Sequence, residues 1–538
     1  MLFFSTEGPF LFLTTGVVAL LLLTGCGPDA SSEEASTADD ASASAPTFSE
    51  QYRPQFHYSP PQNWMNDPNG LVYHDGTYHL FHQYNPEGNT WGHMSWYHAT
   101  SEDLVHWTHE GVAIPEEGNE MIFSGSAVVD SANTSGFGNG ENSSPMVAIY
   151  TSHYTLEGDS MNQAQSLAYS TDGGETWTKY AENPVLDHPD PDFRDPNVFW
   201  YAPEQKWVMT VALPTQKKVQ FYESTNLTDW TLLSTFGPAG AETGIWECPA
   251  LFRVPVEGTD RREWVLQVDL NPGSVAGGSG GQYFVGNFDG TTFTPREGSL
   301  EQGPHWVDYG PDFYATIPWS NVPNDDGRAL WLAWMNNWSY AQSIPTSPWR
   351  SAQTVARSVR LRTIDGAPRL IQTPVQELQK LRSNPVQLEA RSLSDTMSLS
   401  EDGVSGTLLE VAATFEPETA QTMGLSVRVG EDEKTIVGYD AESETVFVDR
   451  RRSGVVDFHE DFAARDEAPL ALHNGQVKLH VLVDRSSVEV FANEGARVLT
   501  HRIFPDSTST GVEAFASGGT AQLTQLDAWS LRSIWANR

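Results

Sequence analysis

The chain has 538 residues, which is long for a single hydrophobic core and predicts more than one domain. Its 70 acidic residues outnumber 31 basic ones, and the resulting net charge of −39 argues against a nucleic-acid partner. Two cysteines, Cys26 and Cys248, are too few for a disulfide-rich scaffold. No spacing typical of a metal site occurs, so we expect neither a metal nor another cofactor.

The first 26 residues have the composition of an export signal. The apolar stretch at 9–25, PFLFLTTGVVALLLLTG, is slightly short for a membrane-spanning helix, which needs about 20 apolar residues. LTGC at its end resembles the bacterial lipobox. We therefore predict a lipoprotein-type signal peptide over 1–26, with Cys26 lipidated and anchored to a membrane. Because no Lys or Arg precedes the apolar stretch, an uncleaved anchor is the alternative; both place the body outside the cytoplasm.

Residues 27–50 are mostly Ala, Ser, Asp and Glu, with very few large apolar side chains. Such a segment cannot bury enough apolar surface to fold. We predict a disordered acidic tether.

The remaining chain is predicted to be all-β. Short alternating segments such as KWVMTVAL and VKLHVLV are separated by turn residues, as in antiparallel strands. SEDLVHW, STDGGETW and STNLTDW each follow such a segment, and this repeat predicts a propeller of four-stranded sheets over 51–372. PVQELQKLR, within 373–385, predicts a short helical linker. Alternating strands over 386–538 predict one β-sandwich.

Three carboxylates have unusual surroundings. Asp67 lies in WMNDPNG, Asp195 in FRDPNV and Glu247 in WECPALF. Because Asp67 and Asp195 precede prolines, we expect extended backbones there. The aromatic neighbours Trp64, Phe193 and Trp246 are expected to supply apolar walls. A single such carboxylate is typical of a turn or strand edge, but three on separate blades predict a shared central pocket.

Glycoside chemistry suggests roles for these groups. A retaining glycosidase uses an ionised nucleophile and a protonated acid roughly 5 Å apart. The lower reference pKa of Asp suits Asp67 as nucleophile, and apolar neighbours favour a raised pKa for Glu247 as acid. Asp195 is expected to stabilise the transition state, and Arg194 to pair with a carboxylate or bind hydroxyls. Four tryptophans are candidates for stacking on sugars or for core packing: Trp64, Trp91, Trp334 and Trp338.

From Tyr52 to the C-terminus, the chain resembles the β-fructosidases of glycoside hydrolase family 32. The resemblance rests on these motifs, which occur in the family's order together with FHQYNP, FSGSAV, DYGPDFYAT, AWMNNW and VDRSSVEVFANEG. The resemblance implies a five-bladed propeller followed by a β-sandwich. It implies the same roles for Asp67, Glu247 and Asp195. Further positions match the family's fructose pocket: Asn66, Gln83, Trp91, Phe123, Ser124 and Arg194.

The expected substrate is a fructan or a sucrose-type β-fructoside, and MNNWSYA with PTSPWR is more similar to levanases and inulinases than to invertases. Linkage preference, and hydrolysis versus fructosyl transfer, stay open. A non-catalytic surface sugar-binding propeller and a glycosidase for arabinose or xylose are the alternatives. The excess of carboxylates, spread over the whole chain, leads to a further hypothesis of a halophilic source.

Overall fold

The structure, a computed structural model, describes residues 47–140, 144–156, 160–323 and 325–535. The predicted signal peptide with Cys26, and most of the predicted tether, lie outside these ranges. Within them, no helix is long and apolar enough to cross a membrane. The helices described are six short 3₁₀ segments: Ala202–Glu204, Pro214–Gln216, Leu300–Gln302, Ala341–Ser343, Gln376–Leu381 and Ser400–Asp402.

The first 22 strands form five antiparallel sheets of four main strands, which are the blades of a propeller. Blade 1 comprises β1 (Asn63–His74), β2 (Thr77–Tyr84), β3 (Ser95–Ser101) and β4 (Thr108–Ile114). Blade 2 comprises β5 (Glu120–Val129), β6 (Met146–Thr155), β7 (Met161–Ser170) and β8 (Thr178–Lys179). Blade 3 comprises β9 (Arg194–Tyr201), β10 (Lys206–Leu213), β11 (Lys218–Ser224) and β12 (Thr231–Phe236).

Two additional short strands occur in the region of blades 4 and 5. Blade 4 comprises β13 (Ile245–Pro255), β14 (Arg262–Asn271), β15 (Gly280–Phe288) and β16 (Phe293–Pro295), with β17 (His305–Trp306) paired to β15. Blade 5 comprises β18 (Tyr314–Pro318), β19 (Ala329–Trp334), β21 (Arg357–Ile364) and β22 (Ala367–Pro374). Strand β20 (Trp349–Arg350) instead pairs with β1 of blade 1 in parallel.

The first strand of every blade lines the propeller axis, because β1, β5, β9, β13 and β18 contact one another in ring order. Strands β1, β5 and β13 are buried over most of their length. The predicted propeller, with five blades, is therefore confirmed.

The repeated Ser/Trp motif occupies one position in three blades, the turn between the third and fourth strands. In blade 1 the Asp103 carboxylate accepts the backbone N–H groups of Val105 and His106. Asp172 and Asn226 cap the corresponding turns of blades 2 and 3 in the same way. The motif recurs because each blade needs the same turn, with a Trp leading into the outer strand.

The C-terminal region is a two-sheet β-sandwich, as predicted. One sheet contains β23 (Arg382–Leu388), β24 (Arg391–Leu393), β26 (Leu409–Glu416), β31 (Val477–Asp484), β32 (Ser487–Ala492), β33 (Arg497–Arg502) and β35 (Ala521–Leu531). The other contains β25 (Met397–Ser398), β27 (Thr422–Val429), β28 (Lys434–Asp440), β29 (Thr445–Arg452), β30 (Arg465–Pro469) and β34 (Gly511–Ser517). Alternate side chains of both sheets form one apolar core.

Both predicted connecting segments, the tether and the linker, have buried apolar side chains where the structure describes them. In the predicted tether, Phe48 is buried and stacks on Trp535, with 4.2 Å between ring centroids. The predicted linker contains the end of β22, the 3₁₀ helix Gln376–Leu381 and the start of β23 at Arg382. Leu378 and Leu381 are buried in an apolar cluster that contains residues of both the propeller and the sandwich, which fixes the position of this helix.

A buried network of charged side chains joins the propeller to the sandwich. His57 lies between two carboxylates of the sandwich, with its ring nitrogens 2.8 Å from Asp484 Oδ2 and 2.9 Å from Glu489 Oε1. Arg357 of blade 5 donates to Glu489 and, at 3.0 Å, to Asp308. Each charge in this network therefore has an opposite charge beside it.

Candidate active site

The five axial strands share a local irregularity near their N-terminal ends, where each contains a β-bulge. The bulges lie at Met65/Pro68, Phe123/Gly125, Glu247/Ala250 and Tyr314/Ile317, and in blade 3 between Arg194 and Asn197. A bulge turns one strand locally and redirects its side chains. Asp67, Ser124, Asp195, Glu247 and Tyr314 occupy or border these bulges and converge on one pocket at the axis.

Asp67, on β1, is almost completely buried, with 9% of its surface exposed. Ser124 donates to its Oδ2 at 2.6 Å, and the Asn66 side-chain amide donates to its Oδ1 at 3.1 Å. Asn66 is itself oriented by the Trp64 indole N–H, which donates to Asn66 Oδ1 at 2.7 Å. The carboxylate is therefore held in one orientation by a chain of three side chains.

Asp195, on β9, has a left-handed backbone with φ of 65°. The expectation of an extended backbone before proline is wrong for this residue, because it sits in the bulge rather than in regular strand. A non-glycine residue in this region is strained by about 1–3 kcal/mol. The Cys248 backbone N–H donates to Asp195 Oδ2 at 2.9 Å, which fixes the carboxylate.

Glu247, on β13, accepts hydrogen bonds from two neighbours. Arg194 Nε donates to its Oε1 at 3.1 Å, and the Tyr314 hydroxyl donates to its Oε2. Trp246 does not form the apolar wall expected beside Glu247; it is buried among Phe236 and Phe284. Successive residues of a strand face opposite sides, so Trp246 faces the blade core when Glu247 faces the axis.

Arg194 connects the acidic groups of the pocket. Besides Glu247, it donates to Asp192 and to Gln163, the latter at 3.1 Å, and its Nε lies 3.9 Å from Asp195 Oδ2. Burial alone would lower the pKa of Arg194, but Glu247, Asp195 and Asp192 raise it overall. The guanidinium is a permanent positive charge among the carboxylates.

Burial raises the pKa of the two aspartates. The pKa of Asp67 is raised to about 6 by desolvation and by Glu247, although Ser124 and Asn66 oppose the shift. The pKa of Asp195 is also raised, by burial and by the charge of Glu247, against the attraction of Arg194. The low reference pKa of Asp therefore does not carry over to Asp67 unchanged, because burial away from water disfavours its ionised form.

The pocket has a volume of about 390 Å³. Eight side chains predicted to bind substrate or act on it, or considered for stacking on sugars, line the pocket with Asp195 and Glu247: Asn66, Asp67, Gln83, Trp91, Phe123, Ser124, Arg194 and Trp338. Trp64 and Trp334 are fully buried and lie behind this wall, packed against Trp338 at ring-centroid distances of 5.9 and 4.9 Å. Phe193 is buried in the core between blades 2 and 3.

Several lining residues were given no role by sequence analysis, namely His153, Met161, Gln163, Asp192 and Tyr314. His153 stacks on Phe123, with 4.3 Å between ring centroids and 11° between planes. Tyr314 lies in the motif DYGPDFYAT, so its motif was noticed although its contact with Glu247 was not. His153, Met161 and Gln163 come from the second and third strands of blade 2, and only folding brings them to the axis.

Among the described residues, one group of potential metal ligands converges, Glu87, His93 and Glu116. Their ligand atoms lie within 4.8 Å of one another, but none of the three lines the pocket. His93 and Glu116 already form an ion pair with 2.6 Å between Nδ1 and Oε1.

Family models match both parts of the chain. Residues 57–374 match the N-terminal domain of glycosyl hydrolases family 32, and residues 377–530 match the C-terminal domain of the same family. The chain belongs to glycosyl hydrolase family 32. It is therefore a glycosidase, and its propeller and sandwich are the two domains of that family.

Similar family 32 proteins include bacterial and fungal enzymes. The chain is 48% identical over 497 residues to a levanase from Bacillus subtilis, covering 91% of this chain and 72% of the relative. It is 43% identical over 524 residues to an extracellular exo-inulinase from Aspergillus awamori, covering 91% and 96% respectively. The crystal structure of an exo-inulinase from A. awamori superposes with a TM-score of 0.84 at 41% identity, covering 91% of this chain and 100% of that one.

Proposed function

We propose that this glycosidase releases fructose from β-fructans and related β-fructosides with retention of configuration. The observation that carries the proposal is the convergence of Asp67, Asp195 and Glu247, each on a different axial strand, in the pocket of a family 32 chain. Relatives named levanase and exo-inulinase support a fructan as substrate.

Asp67 is assigned the role of nucleophile. Its carboxylate is held by donors from Ser124 and Asn66, which stabilise the ionised form and leave it directed into the pocket. In the first step, Asp67 attacks the anomeric carbon of the terminal fructosyl unit, and the bond from that carbon to the leaving-group oxygen breaks.

Glu247 is assigned the role of acid and base. It gives its proton to the departing oxygen in the first step, and in the second it takes a proton from the water that attacks the fructosyl–enzyme ester. Arg194 and Tyr314 orient the Glu247 carboxyl group through their hydrogen bonds. When Glu247 is ionised, the charge of Arg194 stabilises it for the second step.

Asp195 is assigned the role of transition-state stabiliser. Its carboxylate is fixed by Cys248 and lies in the same pocket, where it can accept hydrogen bonds from substrate hydroxyls as positive charge develops at the anomeric carbon. An acceptor already oriented before substrate binds needs no reorganisation during the reaction.

Glu247→Gln tests the acid assignment on a pair of substrates. We expect a large loss of kcat on sucrose and a much smaller loss on a β-fructoside with an activated aryl leaving group, which needs little protonation. Equal losses on both substrates would contradict the acid role.

The reaction type is tested with the wild-type enzyme on levan, inulin, sucrose and an arabinan. Nuclear magnetic resonance of the first-formed sugar should show β-fructose from one or more fructosides, and nothing from the arabinan. Initial formation of α-fructose would overturn retention, and accumulation of longer fructosides in place of free fructose would indicate a transferase.

Export and lipid anchoring form a second part of the proposal. The apolar stretch ending in LTGC supports cleavage before Cys26 and lipid attachment to it, and the A. awamori relative is named extracellular. Because one acyl chain anchors only marginally, we expect more than one on Cys26. Cys26→Ser should shift the protein from the membrane fraction or leave its signal uncleaved; unchanged size and partition would rule out this anchor.

A halophilic source is the third part. A net charge of −39 repels itself in dilute buffer, and molar salt screens that repulsion within about 3 Å. We expect the melting temperature and fructose release to rise from dilute buffer to molar sodium chloride. A steady fall of both with added salt would contradict this assignment.

A further inference from the structure

A second cavity lies at the opposite end of the propeller axis from the catalytic pocket. It is lined by residues at the ends of axial strands, such as Val129 on β5, Trp200 on β9 and Pro318 on β18, whereas the catalytic residues lie near the strand beginnings. Its volume of about 420 Å³ is similar to the 390 Å³ of the catalytic pocket. Asp195 and Trp200 are five positions apart on β9, roughly 17 Å, and the two linings share no residue.

The cavity exposes an aromatic platform. Trp200 is 40% exposed, although tryptophan side chains are largely buried on average. It packs edge-to-face on Trp207, with 4.9 Å between ring centroids and 67° between planes, and the Trp207 indole N–H donates to Thr134 at 2.9 Å. Trp207 therefore supports Trp200 from behind, so Trp200 loses little side-chain entropy when a ligand stacks on it.

Three arginines line the cavity. Arg328 is paired with Asp326 and Glu377, and the other two, Arg253 and Arg262, supply polar groups beside this platform. Arg262 donates to the backbone carbonyls of Gly327 and Arg253 at 3.0 and 2.9 Å, and Arg253 donates to the carbonyl of Arg262 at 3.3 Å. Among the described residues, neither guanidinium forms an ion pair with a carboxylate, and no acidic residue lines the cavity. In a chain with 70 acidic residues, this surface stands out as one of N–H donors and apolar rings.

We propose that this cavity binds a segment of neutral fructan and so gives the enzyme a second attachment point on its polymeric substrate. Sugar hydroxyl and ether oxygens accept hydrogen bonds from arginine N–H groups, and the C–H face of a sugar ring stacks on an indole. A second site on one polymer raises the effective affinity without new chemistry. This inference rests on the proposed fructan-hydrolysing function.

The charge of the protein favours a neutral polymer over an acidic one. An acidic polysaccharide could pair with Arg253 and Arg262, but it would approach a protein with a net charge of −39. A neutral fructan meets no such repulsion, and the absence of carboxylates from the lining spares it the cost of desolvating them.

Binding is tested by electrophoresis through native gels containing levan or inulin. The Asp67→Asn background prevents digestion of the gel, and excess fructose occupies the catalytic pocket. We expect Trp200→Ala to weaken retention by about five-fold, which is the size expected for one aromatic contact, and Trp200→Phe to retain most of it. Leu232→Ala, an exposed apolar residue on β12 of the same blade, is the matched control and should be retained normally.

Equal retention of the Trp200→Ala and parent proteins would overturn the proposal, and so would stronger retention by polygalacturonate than by levan. With Asp67 restored, Trp200→Ala should keep kcat/KM on sucrose within about two-fold, since a disaccharide cannot reach both sites, and should raise KM on levan. Absence of fructose release by the wild-type enzyme would refute the proposed function instead, and the gel would still test the cavity.

Discussion

Two buried clusters of charged side chains in this protein have opposite electrostatic character. In the cluster between propeller and sandwich, burial alone would raise the pKa of Glu489, but Arg357 and His57 outweigh it and lower the pKa to about 2. The pKa of Asp484 is lowered in the same way by His57 and by backbone N–H groups. Each charge here has an opposite charge beside it, although the Arg357 Nε has no hydrogen-bond partner, and this charge pairing makes the cluster a structural joint.

In the catalytic pocket, burial prevails. The pKa values of Asp67, Asp195 and the neighbouring Asp269 are all raised, in each case first by desolvation. One arginine, Arg194, lies beside Asp195 and Glu247, whereas Asp269, which pairs with Glu247 in register, receives a hydrogen bond from the Thr316 backbone N–H. The comparison indicates that buried carboxylates with few opposite charges keep raised pKa values at a cost in stability, whereas buried charges that are each paired hold the two domains together.

Among the variants that distinguish the two clusters, we expect Asp67→Asn to have the largest effect. Losing the proposed nucleophile should reduce kcat by about four or more orders of magnitude on every fructoside. Steady-state release of fructose measures this loss. Near-normal release would remove Asp67 from the proposed mechanism.

The same substitution should leave the fold intact and increase its stability. A pKa raised from 3.8 to about 6 means that ionised Asp67 destabilises the folded state at pH 7, by up to about 3 kcal/mol. That cost appears as pH rises from 3.8 to 6, so the gain from Asp67→Asn should vanish at low pH. Urea unfolding at pH 7 and pH 4 tests this; a loss of stability at pH 7 would contradict the assignment of the pocket as strained.

His57→Ala tests the structural cluster. Without the imidazole, buried Asp484 and Glu489 lose a partner, and we expect a loss of about 3–5 kcal/mol in the free energy of unfolding. His106→Ala, in an exposed pair with Asp103, is the control and should change stability by less than about 1 kcal/mol. Similar small losses in both variants would show that the buried network is not stabilising.

The pH dependence of that loss follows from the pKa directions. The pKa of His57 is raised from 6.5 by its carboxylate partners against burial, so its contribution is complete below 6.5 and lost as pH rises through the raised value. The pKa of Glu489 is lowered from 4.5, so its contribution is complete above 4.5 and lost as pH falls towards 2. The difference between wild type and His57→Ala should therefore be largest from about pH 4.5 to 6.5.

The smallest expected effect concerns Ser124. Its hydroxyl stabilises ionised Asp67, so Ser124→Ala should raise the pKa of Asp67 above about 6 and move the acidic limb of kcat/KM to higher pH by about one unit. Ser126→Ala on the same strand is the control, because that hydroxyl accepts the Val198 backbone N–H instead. An acidic limb unchanged in Ser124→Ala would show that Asp67 does not govern it.

The sequence by itself determined the all-β class, the propeller followed by a sandwich, and the pocket residues that its motifs carry. These features were predictable because strand alternation and turn residues are local, and because the Ser/Trp turn recurs where the same turn recurs. The family motifs likewise predicted Asn66, Gln83, Trp91 and Ser124 in the pocket, where the structure has them.

Only the tertiary structure decided how those residues act on one another. The left-handed backbone of Asp195 arises from a bulge that depends on pairing with β10, so the proline rule could not predict it. Trp246 and Trp334 are fully buried because of the direction in which their strand positions face. Their neighbours in the sequence motifs, Glu247 and Trp338, line the pocket. The raised pKa of Asp67 results from burial by five blades whose axial strands are distant in sequence, and burial is a property of the assembled fold.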